Sequence, residues 1–182
     1  MDKLSVVKIG GNVIEEETVL KSFLTDFAQM QGPKILVHGG GKKATAMAQQ
    51  LDIPVQMVEG RRITDDKNLD IITMLYGGKI NKNIVAQLQG LGCNAVGLSG
   101  ADGNAFHAIK RPVKTIDYGF VGDVTGVNSA FFKMLLEGEY TPVCCAITHD
   151  QKGQLLNTNG DTIASSLSQG LSEHFEVSLW YC

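Results

Sequence analysis

Three short segments of this 182-residue chain hold residue types that could bind an anion and move it. They are Val7-Lys8-Ile9-Gly10-Gly11-Asn12, Val37-His38-Gly39-Gly40-Gly41-Lys42 and Leu156-Asn157-Thr158-Asn159-Gly160-Asp161. In the first two, an apolar β-branched run stops at a glycine cluster and an amphipathic stretch follows, the pattern of a strand, a tight turn and a helix N-terminus. Glycine lets backbone N–H groups come close to an anion, and the start of the next helix is electropositive. Such a site suits phosphate or carboxylate. Lys8, at the carboxyl end of its strand, adds a positive charge beside these turns, although a lysine outside such a context is ordinarily a surface charge. Arg62, after Gly60, could pair a carboxylate through two parallel hydrogen bonds, which a lysine does less well.

Other chemistries find no foothold. The chain has neither Gly-x-Gly-x-x-Gly nor Gly-x-x-x-x-Gly-Lys-Ser/Thr, so neither a dinucleotide-binding unit nor a P-loop is supported. A nucleophile elbow and a His-Glu-x-x-His run are also missing. His107, His149 and His174 lack ligand spacing, and His38 reads as a packing or hydrogen-bonding residue at a strand end. No metal site is expected.

The elements that must position these residues alternate. The pattern predicts a strand over Leu4–Ile9, a helix over about 16–31, a strand over Lys34–His38 and a short helix over 42–51. Between Thr64 and Gly90 the apolar residues Leu69, Ile72, Tyr76, Ile80, Ile84 and Leu88 keep helical spacing. The Gly77-Gly78 pair inside that stretch points either to close approach of another helix, such as one from a second subunit, or to a break between two helices. A strand over Asn94–Ser99 follows, then a hairpin-like excursion at Ala105–Lys110 and Phe120–Val127. Beyond it the pattern predicts a helix near Ser129–Glu137, a strand near Thr141–Ile147, a helix over about 161–168 and a final strand over Phe175–Tyr181, with Trp180 and Tyr181 filling core between lobes rather than forming a nucleotide box.

Composition narrows the partners. The chain is 43% apolar and 19% charged, enough to bury a sizeable core, and its net charge of −3 without a basic face gives no reason to expect nucleic acid. No run approaches the roughly 18 apolar residues of a membrane span, so no membrane partner is expected and the cytoplasm is. Cys93, Cys144, Cys145 and Cys182 lack metal-type spacing and read as buried reduced thiols.

Several of these segments, taken in order, carry a resemblance. They are Lys8 before Gly10-Gly11, His38-Gly39-Gly40-Gly41, Gly60-Arg61-Arg62-Ile63-Thr64, Asn81-Lys82-x-Ile84-Val85, Val96-Gly97-Leu98-Ser99-Gly100-x-Asp102-Gly103, Gly119-Phe120-Val121-Gly122-x-Val124 and Asn157-x-Asn159-x-Asp161. The series resembles the amino acid kinase family, and within it the branch that phosphorylates N-acetyl-L-glutamate, over essentially the whole chain. The resemblance implies an α/β fold, a three-layer αβα sandwich around a mainly parallel sheet like that of carbamate kinase. Residues 1–160 would form an N-terminal lobe that binds acylglutamate and pairs subunits. Residues 161–182 would begin a C-terminal ATP-binding lobe, incomplete in this chain, with a second catalytic lysine and the adenine site beyond Cys182.

The implied reaction moves the γ-phosphoryl of ATP, carried as its Mg²⁺ complex, to the side-chain carboxylate of N-acetyl-L-glutamate or a related N-acylglutamate. The product is an acyl phosphate of arginine biosynthesis. A carboxylate is already ionised and nucleophilic at neutral pH, so no general base is needed, and the remaining problem is the charge on the group in flight. The resemblance gives Lys8 and Asp161 catalytic roles, Lys8 on the phosphoryl group and Asp161 orienting lysines. It gives Gly39, Gly40, Arg62 and Asn157 to the substrate, and Gly10, Gly11 and Gly41 to the phosphate-binding loops. Read without it, Asp161 is a helix-start acid and the glycines are turn formers. A homodimer insensitive to arginine is implied, because the first strand starts almost at Met1. The alternatives are another family member, acting on glutamate, aspartate, carbamate or a nucleoside monophosphate, or a non-catalytic acylglutamate-binding fragment.

Overall fold

The fold is built on strands too apolar to face water on either side. The computed structural model describes residues 1–182, and its central strands β1 (Lys3–Ile9), β2 (Lys34–His38) and β8 (Thr141–Cys145) are apolar runs; every residue of β2 and β8 is buried. Strands buried on both faces belong in a parallel sheet covered by helices. With β5 (Ala95–Leu98) and β11 (Glu176–Tyr181) they form a five-stranded parallel sheet in the order β11-β1-β2-β8-β5.

The strand order fixes the layers. Right-handed crossovers that step in opposite directions along a sheet put their helices on opposite faces. The steps β1 to β2 and β2 to β5 run one way, through α1 (Gly11–Glu15), α2 (Glu17–Gln29), α3 (Gly41–Gln50), α4 (Asp66–Ile72) and α5 (Asn81–Gly90). The steps β5 to β8 and β8 to β11 return through α6 (Ser129–Glu137) and α7 (Gly160–Leu171). Accordingly α2 packs on α5, while α7 lies along β1, β2 and β11 and is tied to α6 by a Ser129 hydroxyl donating to the Gly170 carbonyl at 2.6 Å. The result is the three-layer sandwich.

The excursion is larger than a hairpin. β6 (Phe106–Lys110) and β7 (Gly122–Val127) pair antiparallel as expected, but β9 (Ile147–His149) and β10 (Leu155–Asn157) join them in a four-stranded sheet ordered β10-β9-β6-β7. The single strand expected over Thr141–Ile147 is therefore two, switching sheets at Ala146. A two-residue-per-arm hairpin, β3 (Met57–Val58) and β4 (Arg61–Arg62), was also too short to predict.

The stretch from Asp66 to Gly90 is one unbroken helix with π-type bonding from Thr73 to Ile80. Its apolar stripe faces the chain's own core: Ile72, Ile84 and Leu88 are fully buried, and Leu69, Tyr76 and Ile80 nearly so. Those stripe side chains therefore pack within the chain. Gly77 and Gly78 are not squeezed, since a Cβ on Gly77 would meet only Ile147 Cδ1 at 3.7 Å and one on Gly78 nothing. Trp180 and Tyr181 are exposed on the edge strand β11. Cys182 is exposed as well, whereas Cys93, Cys144 and Cys145 are buried and unbridged as expected.

Candidate active site

The carboxyl ends of β1 and β2 meet the N-terminus of α7, and the cleft between them has a volume of about 400 Å³. Crevices at the carboxyl ends of parallel strands are where α/β sheets bind ligands. Lys8, Gly11, Gly39, Gly40, Gly41, Arg62, Asn157 and Asp161 all line it, although they span more than 150 positions of sequence. Gly10 does not. Its amide continues the sheet ladder, donating to the Cys182 carbonyl at 2.7 Å, so this N–H is not free for an anion.

One end of the cleft is built around Lys8. Its Nζ lies 2.7 Å from Asp161 Oδ1. Asp161 sits in the first turn of α7, where the helix dipole favours a carboxylate, and the N-cap Asn159 accepts from the amides of Asp161 and Thr162. Gly160 packs beside this pair, where a Cβ would stand in ordinary contact with Lys8 Cε at 3.5 Å and with the Gly39 nitrogen at 3.9 Å. The Gly39 and Gly40 amides donate to no protein group. Gly40 adopts a positive φ of 153°, and a Cβ on it would collide with Ile80 and crowd Tyr76 at 3.1 Å. Glycine is therefore a steric requirement at position 40, and the π-type segment is what presses on it.

The other end is built around Arg62. Its guanidinium is 7% exposed and has no acidic partner. It donates instead to three neutral oxygens, Thr45 Oγ1 at 2.6 Å, the Gly41 carbonyl at 3.0 Å and Asn68 Oδ1 at 3.3 Å. Burial pushes its pKa down, partly offset by the nearby Tyr76 hydroxyl. Asn68 is itself held by the Asp65 carboxylate and the Pro54 carbonyl, so the guanidinium plane is fixed from behind. Across the cleft, Asn157 donates through Nδ2 to Thr64 Oγ1 at 3.0 Å, and its carbonyl oxygen accepts no hydrogen bond. A buried, unpaired cation in a cleft is costly unless an anion completes it.

The charge of the cleft is opposite to that of the chain. Lys8, Lys42, Arg61 and Arg62 line it against the single carboxylate Asp161, whereas the whole chain carries −3. Such a pocket concentrates anionic ligands. Lys42, read from sequence as a solvent-facing residue, is largely exposed but anchored, reaching Asn12 Oδ1 at 2.8 Å and Glu15 Oε2 at 3.2 Å across the cleft mouth. No cluster of three or more His, Cys, Asp or Glu exists anywhere in the chain.

Sequence reasoning missed Thr45, Tyr76 and Asn68, whose parts depend on packing between distant segments. His38 is where it was expected. It is fully buried, with Nδ1 2.9 Å from the Gly39 carbonyl and Nε2 3.0 Å from Asn81 Nδ2, and burial pushes its pKa down to about 4. A neutral buried imidazole of that kind holds structure and is no proton shuttle at neutral pH.

A parallel αβα sandwich with a cation-lined cleft at its strand ends defines a class of phosphoryl- or carboxylate-handling α/β proteins. The model of the amino acid kinase family matches residues 3–173, and the chain belongs to that family. Proteins named acetylglutamate kinase are 52% identical in Phocaeicola vulgatus, 53% in Parabacteroides distasonis and 55% in Cytophaga hutchinsonii. Each match covers all of this chain and 70%, 71% and 69% of the relative respectively. Among solved structures, smu.665 from Streptococcus mutans superposes with a TM-score of 0.77 at 24% identity, covering 93% of this chain and 69% of that one. N-acetylglutamate synthase from Neisseria gonorrhoeae, complexed with coenzyme A and N-acetyl-glutamate, also gives 0.77, at 21% identity over 92% of this chain and 39% of that one. These two establish a shared fold.

Proposed function

We propose that this chain belongs to an ATP-dependent kinase that phosphorylates the side-chain carboxylate of N-acetyl-L-glutamate, forming an acyl phosphate in arginine biosynthesis. The observation that carries the reading is Arg62, a buried guanidinium without a counter-ion in a cleft that also holds Lys8. An acylglutamate has an anion at each end. Arg62 takes the α-carboxylate, Asn157 contacts the same end of the ligand, and the side-chain carboxylate then lies towards Lys8 and the Gly39-Gly40 turn. The nucleophile needs no base, in keeping with a cleft lined by no histidine and by no carboxylate other than Asp161, which Lys8 occupies. Lys8 and the unpaired Gly39 and Gly40 amides stabilise the charge on the transferred group, and Asp161 fixes the ammonium in place.

Gly11 and Gly41 line the same region, with Gly41 serving Arg62 through its carbonyl. We divide the chain into residues 1–160, the acylglutamate lobe, and residues 161–182, the first elements of the nucleotide lobe. Mg²⁺ enters with ATP, held by phosphates and water, since the chain offers no ligand cluster for it. The protein acts in the cytoplasm, where the thiols of Cys93, Cys144 and Cys145 stay reduced, and as a homodimer whose interface lies outside the buried Leu69–Leu88 stripe.

The test is direct. The full-length protein, given ATP, Mg²⁺ and N-acetyl-L-glutamate, forms ADP and an acyl phosphate that hydroxylamine traps as a hydroxamate. Arg62→Lys weakens N-acetyl-L-glutamate binding by roughly 1–3 kcal/mol, the scale of hydrogen bonds to a charged group, and leaves ATP affinity unchanged. Activity confined to free glutamate, aspartate, carbamate or a nucleoside monophosphate would overturn the reading in favour of another family member. Binding of N-acetyl-L-glutamate with no turnover would point to a binding module.

A further inference from the structure

A buried polar chain behind the cleft ends on the glycine turn, and it begins at a residue that never reaches the ligand. Asn81, the first residue of α5, is 1% exposed. Its Nδ2 lies 2.9 Å from the Val143 carbonyl and 3.0 Å from His38 Nε2. Its Oδ1 accepts from Lys82 Nζ at 3.2 Å, and the same ammonium donates to the Gly97 carbonyl at 3.2 Å. A Cβ on Gly97 would overlap Asn81 Oδ1, so glycine at 97 is what makes room for this amide.

These contacts leave one proton arrangement. The Val143 carbonyl can only accept and the Lys82 ammonium can only donate, so the amide orientation of Asn81 is fixed from both ends. Nδ2 is therefore a donor towards His38, and His38 Nε2 must present its lone pair. The ring proton is then on Nδ1, where it donates to the Gly39 carbonyl at 2.9 Å. Carbonyl and N–H point in opposite directions across a trans peptide. Holding the Gly39 carbonyl inward thus turns the Gly40 N–H outward, on the side of the cleft that Gly40 lines, and no protein group accepts from it.

We propose that Asn81 is a positioning residue which, by setting the tautomer of His38, orients the Gly39–Gly40 peptide so that its N–H faces the transferred phosphoryl group. This rests on the kinase reading for the identity of the anion, but the tautomer and the peptide orientation stand apart from it. Asn81 belongs to the helix whose Tyr76 and Ile80 press on Gly40, so one element both shapes the turn from outside and sets its hydrogen bonding from within.

The informative variant is Asn81→Asp, which keeps the shape of the side chain and replaces the donor facing Nε2 with an acceptor. In the ¹⁵N-labelled full-length protein, His38 of the parent is protonated on Nδ1 only. In the variant Nε2 becomes protonated, the Gly40 amide resonance shifts, kcat falls at least tenfold, and the KM for N-acetyl-L-glutamate stays within about threefold. Asn81→Gln is the second variant; its longer amide retains a donor for Nε2 and restores part of kcat together with the Nδ1 tautomer. A parent His38 protonated on Nε2, a tautomer that does not respond to Asn81→Asp, or a switched tautomer with unchanged kcat would each overturn the proposal. A parent without any kinase activity would overturn the functional reading alone, because the tautomer and the Gly40 resonance are observed without turnover.

Discussion

Acidification should destabilise this protein through one histidine. His38 is fully buried between β2, β8 and α5, its strongest perturbation is desolvation, the neighbouring Lys82 ammonium adds to it, and the Gly39 carbonyl partly opposes it. Its pKa falls from 6.5 to about 4 in the folded chain. Between those values the unfolded chain binds a proton that the folded chain refuses, so stability rises with pH through the window and is lost as pH falls through it. The full difference of about 2.5 units corresponds to about 3 kcal/mol, of which about 2 kcal/mol is already lost on going from pH 7.5 to pH 5. Urea unfolding at the two pH values, in the parent and in His38→Gln, isolates the effect, because other titrating groups are common to both. The parent should lose about 2 kcal/mol more than the variant. Equal losses in the two proteins, or a His38 pKa near 6.5 by NMR, would refute the buried neutral ring and with it the hydrogen bond to Gly39.

Two further substitutions test the cleft and the core. Lys8→Ala should lower kcat by roughly a hundredfold or more while changing the KM for N-acetyl-L-glutamate little, the signature of an interaction made in the transition state; steady-state kinetics with a near-normal kcat would remove Lys8 from catalysis. Ile84→Asp should cost more than about 4 kcal/mol by placing an unpaired carboxylate in the core, so it should unfold the chain; a variant that light scattering finds dissociated but still folded would show that the stripe is an interface after all.

Local sequence carried most of the cleft. The strand-to-glycine transitions at Ile9-Gly10 and His38-Gly39 are short-range signals, and both mark carboxyl ends of adjacent strands. Arg62 and Asp161 were legible as residue types, but not the separation of their tasks, since the neutral cage of Thr45, Gly41 and Asn68 around Arg62 is assembled from two helices, α3 and α4. The bonding of Gly10 was hidden for a similar reason: its amide is used by Cys182, a residue 172 positions away, through a strand pairing that no local pattern reveals. The helix stripe was read on the right residues, and it packs in the chain's own core. From Ile72 through Tyr76, Ile80 and Ile84 to Leu88 the repeat is four, which drifts about 40° per step around a helix of 3.6 residues per turn. A wider π-type turn absorbs that drift, so the strict repeat was a signal for the observed bonding between Thr73 and Ile80 and for one buried face.

The place of β1 also has a kinetic consequence. This strand, made before the other ten described above, lies between β2 and β11, so one of its flanks is completed only when residues 176–181 have been made. At a synthesis rate of about 5–20 residues per second, that flank waits roughly ten to thirty seconds after Ile9 emerges. Throughout the delay the nascent chain offers an unpaired backbone edge beside Val6 and Val7, and Lys8 has no Asp161 to hold it. The end of the cleft built on Lys8 and Asp161 is therefore assembled long after β1 is made, and protection of the early strand by a chaperone would matter more for the yield of this protein than for one whose first strand ends up at the sheet edge.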